Sequence, residues 1–349
     1  MALEVSWFSA LCDDDYAQLG VIDPKLRSSW EHCSAIVDEA ERQGFDSILL
    51  PSGYELGLDT IAMAAAIARS TSRIRLLVAV RTGENWPPQL ARQLATLQHL
   101  ANGRIDINII SSDLAGQSLA GGPRYGRTLD VMHALDDLMN GRESTLDSDH
   151  YSYTTAAPRI AHGPRPAFYF GGLSPEARDV AAQMADVYLM WPDTMEGVRS
   201  IIADMRSRAA QYGRSLRFGY RVHVIVRETE PEARAYAAHL VAELDDEVGR
   251  AIRQKSLDAG SAGVARQSEL RADADDEGYV EPNLWTGIGR ARSGCGAAIV
   301  GSADQVVAKL AAYQELGIEA FILSGYPHID EARYFGELVL PRLEHGPLH

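Results

Sequence analysis

A chain of 349 residues, 46% hydrophobic and 23% charged, has the composition of a soluble globular enzyme with a large core, which excludes a disordered or fibrous protein. Its formal net charge of −15 argues against nucleic acid or an anionic membrane surface as the main partner, so an anionic substrate has to be held by local arginines. Cys12, Cys33 and Cys295 form no CxxC pair and the histidines are scattered, so neither a disulfide framework nor a metal site is expected. A reducing cytoplasm fits this usage. The first residues carry no basic, apolar leader, and no apolar run approaches the length of a membrane span.

In chain order, short runs rich in Val, Ile and aromatics alternate with longer helical patterns. The predicted strands are Val5–Phe8, Ser47–Leu50, Arg75–Val80, Ile105–Ile110, Ala167–Phe170, Val187–Trp191, Arg217–Val226 and Ala320–Leu323. Eight such units predict an α/β fold, a (β/α)8 TIM barrel spanning residues 1–349 as one domain. Ser174-Pro175-Glu176 supplies an N-cap serine with proline at the first helical position, and Asp304 and Gly317 bracket a later helix. Residues 256–296, rich in Gly, Ala, Asp and Ser, lack clear periodicity and read as a long insertion loop in the seventh unit. Such a loop is either a mobile lid over the active site or a surface excursion that packs a subunit interface.

In these barrels the chemistry sits at the C-terminal ends of the strands. Within Arg217–Val226, alternation places Arg221 and His223 on one face and Tyr220, Val222 and Val224 on the other. Both faces of a barrel strand are covered, so a buried arginine needs an anionic ligand or an internal Asp or Glu, and the segment alone leaves both open. Gly171-Gly172-Leu173-Ser174 ends a strand and opens a helix. Bare N–H groups there suit a phosphate, although a glycine turn with a serine cap accounts for the same residues. Ser324-Gly325-Tyr326-Pro327-His328 follows the last strand and offers either proton donors at the barrel mouth or a tight turn with an exposed histidine. There is no HExxH, P-loop or nucleophile elbow, and Gly294-Cys295-Gly296 precedes its strand and lacks the third glycine of a dinucleotide fingerprint.

Taken together, Trp7-Phe8, Leu77–Arg81, Ala91–Leu97, Asn102-Gly103-Arg104, Tyr169–Gly172, Arg221–Thr229, Pro282–Trp285 and Ser324–His328 resemble, in order and almost end to end, the reduced-FMN-dependent alkanesulfonate monooxygenases of the bacterial-luciferase-like family. The resemblance implies a catalytic set of Trp191, Arg221, His223, Arg292 and Tyr326. It implies flavin contacts from Asn108, Tyr125, Gly171, Gly172 and Ser174. It further implies reduced FMN, O2 as co-substrate, a separate NAD(P)H-dependent flavin reductase, and a homo-oligomer, dimer or tetramer, to which the tail Pro341–His349 could contribute. The expected reaction is cleavage of the C–S bond of an organosulfonate to sulfite and an aldehyde. Alternatives on the same scaffold are Baeyer-Villiger insertion, N-hydroxylation or dehalogenation, with a deazaflavin dehydrogenase and a non-catalytic flavin binder as further rivals.

The chain departs from that family in its loops. Leu11–Tyr16 replaces a histidine-bearing segment, Pro51–Asp59 lacks a frequent cysteine, Asn108–Asp113 is one residue shorter, and Leu173 stands where serine is common. The first two loops instead carry Asp13, Asp14, Asp15, Tyr16, Ser52, Tyr54, Glu55 and Asp59. Such groups suit hydroxyls, so a sulfosugar such as sulfoquinovose is expected ahead of a simple alkanesulfonate.

Overall fold

The computed structural model describes residues 3–53, 57–160, 163–254, 257 and 260–349. Among them, eight strands pair in parallel and close a ring: β1 (Glu4–Phe8), β2 (Ser47–Leu50), β3 (Arg75–Arg81), β4 (Ile105–Ile110), β5 (Phe168–Phe170), β6 (Val187–Met190), β7 (Arg217–Arg227) and β8 (Ala320–Ser324). The seam is shut by β1 against β8 and by β6 against β7. All eight expected strands are present, with ends shifted by a residue or so; Trp191 falls just beyond β6.

Alternation sorts the side chains. Outward-facing residues such as Val5, Ile48, Val78, Ile107, Tyr220 and Val222 join the helices in the main core, and Phe8, Leu49, Leu77, Tyr169, Val187 and Ile322 fill the barrel interior. Helix Pro175–Met184 starts where expected, with Ser174 Oγ accepting from the Ala177 N–H. Helix Ala303–Leu316 is capped by Ser302, two residues before the expected Asp304, because Ser302 and Gln305 form a reciprocal capping box. Gly317, at φ 113°, ends it. No described helix is long and apolar enough to cross a membrane.

Strand β7 is eleven residues long and outgrows its neighbours. Its lower part pairs with β6 and its middle with β8, while His223–Arg227 pair with an extra parallel strand, Ala298–Ser302. The excursion that returns this strand is wider than expected and has regular structure. Residues between β7 and helix Ala303–Leu316 form helices Glu230–Leu240, Asp246–Gln254 and Ala262–Ala272 and the antiparallel pair Tyr279–Glu281 and Leu284–Trp285. The expected long loop without clear periodicity over 256–296 is therefore corrected: its described residues carry a helix and a strand pair. Ser261 caps helix Ala262–Ala272, and Arg266 anchors it by two bonds to Asp193 beyond β6, at 2.9 and 2.7 Å. Ser256, Asp258 and Ala259 lie outside the described residues.

The C-terminal tail lies on its own barrel. The Gly346 N–H donates to Leu3 O at 3.0 Å, the Leu348 N–H to Glu4 Oε2 at 3.1 Å, and Arg217 Nη1 to Leu348 O at 2.6 Å, while Leu348 packs into the interior cluster. Glu4 also accepts from Tyr169 at 3.0 Å, and burial pushes its carboxyl above the usual range. Deleting residues 345–349 removes a partly buried leucine and a donor to a buried carboxyl, so it should lower the unfolding free energy by on the order of 3 kcal/mol. Urea denaturation of the truncated and full chains checks this; equal midpoints contradict it.

Candidate active site

At the C-terminal mouth of the barrel lies a cavity of about 960 Å3. Nine of the ten residues singled out in the sequence lie on its wall: Trp191, Arg221, Arg292 and Tyr326, together with Asn108, Tyr125, Gly171, Gly172 and Ser174. His223 is the exception, buried behind that wall with its ring 5.1 Å from the ring of Tyr326.

The inner end of the cavity is built around Phe8, the last residue of β1. The Arg221 guanidinium lies 4.3 Å from its ring centroid and that of Arg292 5.3 Å, while the His328 ring stacks on it at 5.6 Å. The two arginines differ in what compensates them. Arg292 donates to Asp14 Oδ2 at 2.5 Å and to Tyr326 Oη at 2.8 Å; burial opposes its charge, but Tyr326 and Asp14 outweigh it and raise its pKa well above the usual value. Arg221, only 3% exposed, donates to Ser324 Oγ at 2.8 Å and to the carbonyls of Val222 and Ile322 at 3.1 and 3.4 Å. No carboxylate pairs with it among the described residues, and burial lowers its pKa. This removes the internal-carboxylate reading of Arg221. A buried guanidinium that only neutral acceptors and a π face support has room for an anion.

Behind the arginines, burial first and then the charges of Arg221 and Arg292 hold His223 well below the usual histidine pKa, so it is neutral. His328 is fully buried, not the exposed turn residue that its place after Pro327 allowed. Burial lowers its pKa as well, against the raising effect of Asp15. Tyr326 is held above the usual tyrosine range by burial, so it remains a phenol, a donor as well as an acceptor.

Trp191 forms a side wall. Helix Ala262–Ala272 and the 294 loop press glycines onto its indole: a Cβ at Gly263 would meet the ring at 2.9 Å and one at Gly294 at 3.0 Å. At the opposite end, Gly172 has φ 148°, a conformation L side chains rarely adopt, and a Cβ there would meet Ala177 Cβ at 2.7 Å. Its carbonyl accepts from Tyr188 Oη at 2.6 Å. The start of helix Pro175–Met184, where Pro175 has no N–H and Ser174 takes that of Ala177 so that the Glu176 N–H is left, lines this end with Tyr125 and with Arg124, which lies 5.1 Å over the Tyr125 ring and makes only a 3.8 Å pair with Asp113. A helix N-terminus, a phenol and a weakly paired arginine are a donor set for a phosphate monoester. The cavity volume is that of a large ligand. The residues therefore fit FMN, with Asn108 on the wall between the two ends.

The acidic loop lines the cavity with Asp13, Asp14, Asp15 and Tyr16, and its carboxylates also have partners in the protein. Asp13 binds Arg27 and the Ser28 N–H, Asp15 holds His32 at 2.8 Å and the His328 N–H at 3.0 Å, and exposed Asp59 caps helix Thr60–Ile67. These acids order the loops around the mouth. Asp14 is the one that enters the arginine cluster. Tyr16 stands edge-on to Tyr326 at 5.7 Å, and Ser52 lines the mouth; Tyr54 and Glu55 lie outside the described residues. Phe8, Arg124 and Ser324 were missing from the sequence-derived site, and Asp14, expected to suit substrate hydroxyls, instead pairs with Arg292. Ser324 and Phe8 lay inside the motifs, but only strand register shows what they face.

Two buried neutral histidines link stability to pH. Unfolding restores their ordinary pKa near 6.5, so below it the unfolded chain binds more protons, and stability present above pH 6.5 is lost as pH falls. Each contributes a slope of up to about 1.4 kcal/mol per pH unit. His328→Phe, which keeps the ring stack on Phe8 and leaves the backbone bond to Asp15, should flatten the wild-type decline between pH 6.5 and 5.5 by up to that amount. Guanidinium denaturation at both pH values checks it; an unchanged slope contradicts it.

Comparison with known proteins identifies the family. The luciferase-like monooxygenase family model matches residues 5–320. A sulfoquinovose monooxygenase of Novosphingobium aromaticivorans is 62% identical over 355 residues, covering 99% of this chain and 98% of that protein; another from Agrobacterium fabrum is 51% identical, covering 98% and 90%. Among solved structures, riboflavin lyase with modified FMN and riboflavin superposes with a TM-score of 0.79 at 17% identity, covering 98% of this chain and 91% of that one. EDTA monooxygenase from Chelativorans gives 0.77 at 17%, covering 98% and 93%. The last two share the fold. With the family model spanning nearly the whole barrel, the chain belongs to the luciferase-like monooxygenases.

Proposed function

We propose that this protein is the oxygenating component of a two-component system that uses reduced FMN and O2 to cleave the C–S bond of a hydroxylated sulfonate of the sulfoquinovose type. The observation that carries this is Arg221: a buried cation on the cavity wall, without a carboxylate, beside a second arginine. The substrate class comes from the two relatives at 62% and 51% identity.

The balance is one sulfonate, one O2 and one reduced flavin giving one aldehyde, one sulfite, one water and oxidised flavin. One oxygen atom of O2 becomes the aldehyde oxygen and the other leaves as water. Bound flavin supplies the two electrons that activate O2. The chain's residues do the rest. Arg221 takes the sulfonate oxygens and stabilises charge that builds on them as sulfur departs. Arg292, half-neutralised by Asp14, supports this from across Phe8 and orients the Tyr326 phenol, which can hydrogen-bond an oxygen of the reacting group. Trp191, with helix Ala262–Ala272 against it, excludes water from the inner end. Tyr125, Ser174, Arg124 and the Gly172 turn hold the phosphate.

With a flavin reductase and NADH or NADPH supplied, sulfoquinovose should release sulfite faster than octanesulfonate; with NADPH but no reductase, nothing should be released. Turnover by the chain with NADPH alone, or an inert sugar beside a reactive alkyl chain, overturns the reading. Arg221→Lys keeps the charge but loses the planar fork, so turnover should fall on the order of 10²-fold with the fold intact by circular dichroism. Near-normal turnover would show Arg221 to be structural.

A further inference from the structure

We propose that Ser324 is a positioning residue: its single hydroxyl aims Arg221 at the substrate and at the same time fixes His223 as the tautomer protonated on Nε2. The inference goes beyond the proposed function, but its kinetic part rests on that reading.

Register brings the three residues together. In the parallel pairing of β7 with β8, Ile322 stands opposite Arg221 and Ser324 opposite His223, so all three polar side chains share the inner face at adjacent heights. Ser324 is completely buried. Its Oγ accepts from Arg221 Nη2 at 2.8 Å and lies 2.7 Å from His223 Nδ1.

A hydroxyl has one proton and two lone pairs, and a guanidinium only donates. The Arg221 bond therefore occupies one lone pair and leaves the hydroxyl proton free. Were His223 protonated on Nδ1, it would donate to the same oxygen, and the hydroxyl proton would be stranded in the core at a cost of about 1–3 kcal/mol. With Nδ1 bare, Ser324 donates to it, and the His223 Nε2–H is the one group of the three left unpaired among the described residues, whereas the other tautomer strands both the hydroxyl proton and a bare Nε2. A neutral imidazole with bare Nδ1 carries its proton on Nε2. Nε2 makes no hydrogen bond among the described residues. Around this ring, Arg221, Arg292 and His328 all oppose a positive charge, and the backbone of Cys295 works the other way with less effect. His223 thus presents a fixed N–H donor immediately behind the Tyr326 ring.

The same hydroxyl restrains Arg221. Its other acceptors are two backbone carbonyls, so among the described residues Ser324 is the one side chain that holds the outer nitrogen. Replacing it by alanine leaves a buried lone pair on His223 and frees the guanidinium to swing, and the loss should fall on substrate capture more than on turnover.

Long-range 1H–15N spectra of histidine-labelled protein, with His223 assigned by its loss in His223→Asn, test the tautomer directly and need no substrate. The wild type should show a neutral imidazole protonated at Nε2 from pH 6 to 8. Ser324→Ala should lose that single tautomer and raise the sulfonate KM about tenfold with a smaller change in kcat. Ser324→Thr, which keeps the hydroxyl, should restore both. An Nδ1-protonated or cationic His223 in the wild type overturns the proposal, as does Ser324→Ala with unchanged spectrum and KM. If no sulfonate is turned over by the wild type, the functional reading fails while the spectra still decide the tautomer.

Discussion

The active end of this barrel depends on one unusual condition: a guanidinium buried at 3% exposure with no carboxylate paired to it among the described residues. Such a group costs several kcal/mol to desolvate. The fold offsets part of that with three oxygen acceptors and the face of Phe8, a contact that is worth up to about 2 kcal/mol when desolvated. The remainder is binding energy held in readiness for an anion. Arg292, one ring-width away, shows the contrast: paired with Asp14, it is a support and not a second free cation. A site with a single uncompensated positive charge matches a single sulfonate.

The surroundings serve that arrangement. Strand β1 ends in Phe8, whose ring meets the Arg221 guanidinium of β7 at 4.3 Å, and the loop after β1 turns back so that Asp14 reaches Arg292 and Asp15 pins the start of the last helix through His328. Residues 13–15 therefore tie the mouth together from inside. Across the cavity, the excursion after β7 returns as helix Ala262–Ala272, and the Arg266–Asp193 pair holds it against the strand end that carries Trp191. The Gly172 end and the arginine end are thus separate constructions on one closed ring of strands.

Much of this was legible in the sequence, for identifiable reasons. Parallel strands buried on both faces read as short continuous apolar runs, so all eight barrel strands could be placed. The Arg221-His223 alternation gave their shared face because a strand's period is two. What stayed hidden needed register or tertiary contact. Ser324 and Phe8 are ordinary strand residues until the pairing of β8 with β7 and β1 shows what they meet. Asp13, Asp14 and Asp15 are three like residues in a row, and only their separate partners reveal that one supports the arginine cluster while the others are structural. The segment over 256–296 looked irregular because its helix buries only Gln267 and Leu270 and turns small residues, including Gly263, toward Trp191. That packing leaves no apolar stripe to read.

The most direct test of the account is a calorimetric comparison of two ligands on the same protein with flavin phosphate in place: sulfoquinovose and glucose, which differ at one carbon by a sulfonate against a hydroxyl. If the uncompensated charge of Arg221 carries recognition, the sulfosugar binds and the uncharged sugar shows no measurable heat, and Arg221→Met removes the difference. Comparable affinity for both sugars in the wild type would contradict the claim that the buried guanidinium is held for an anion.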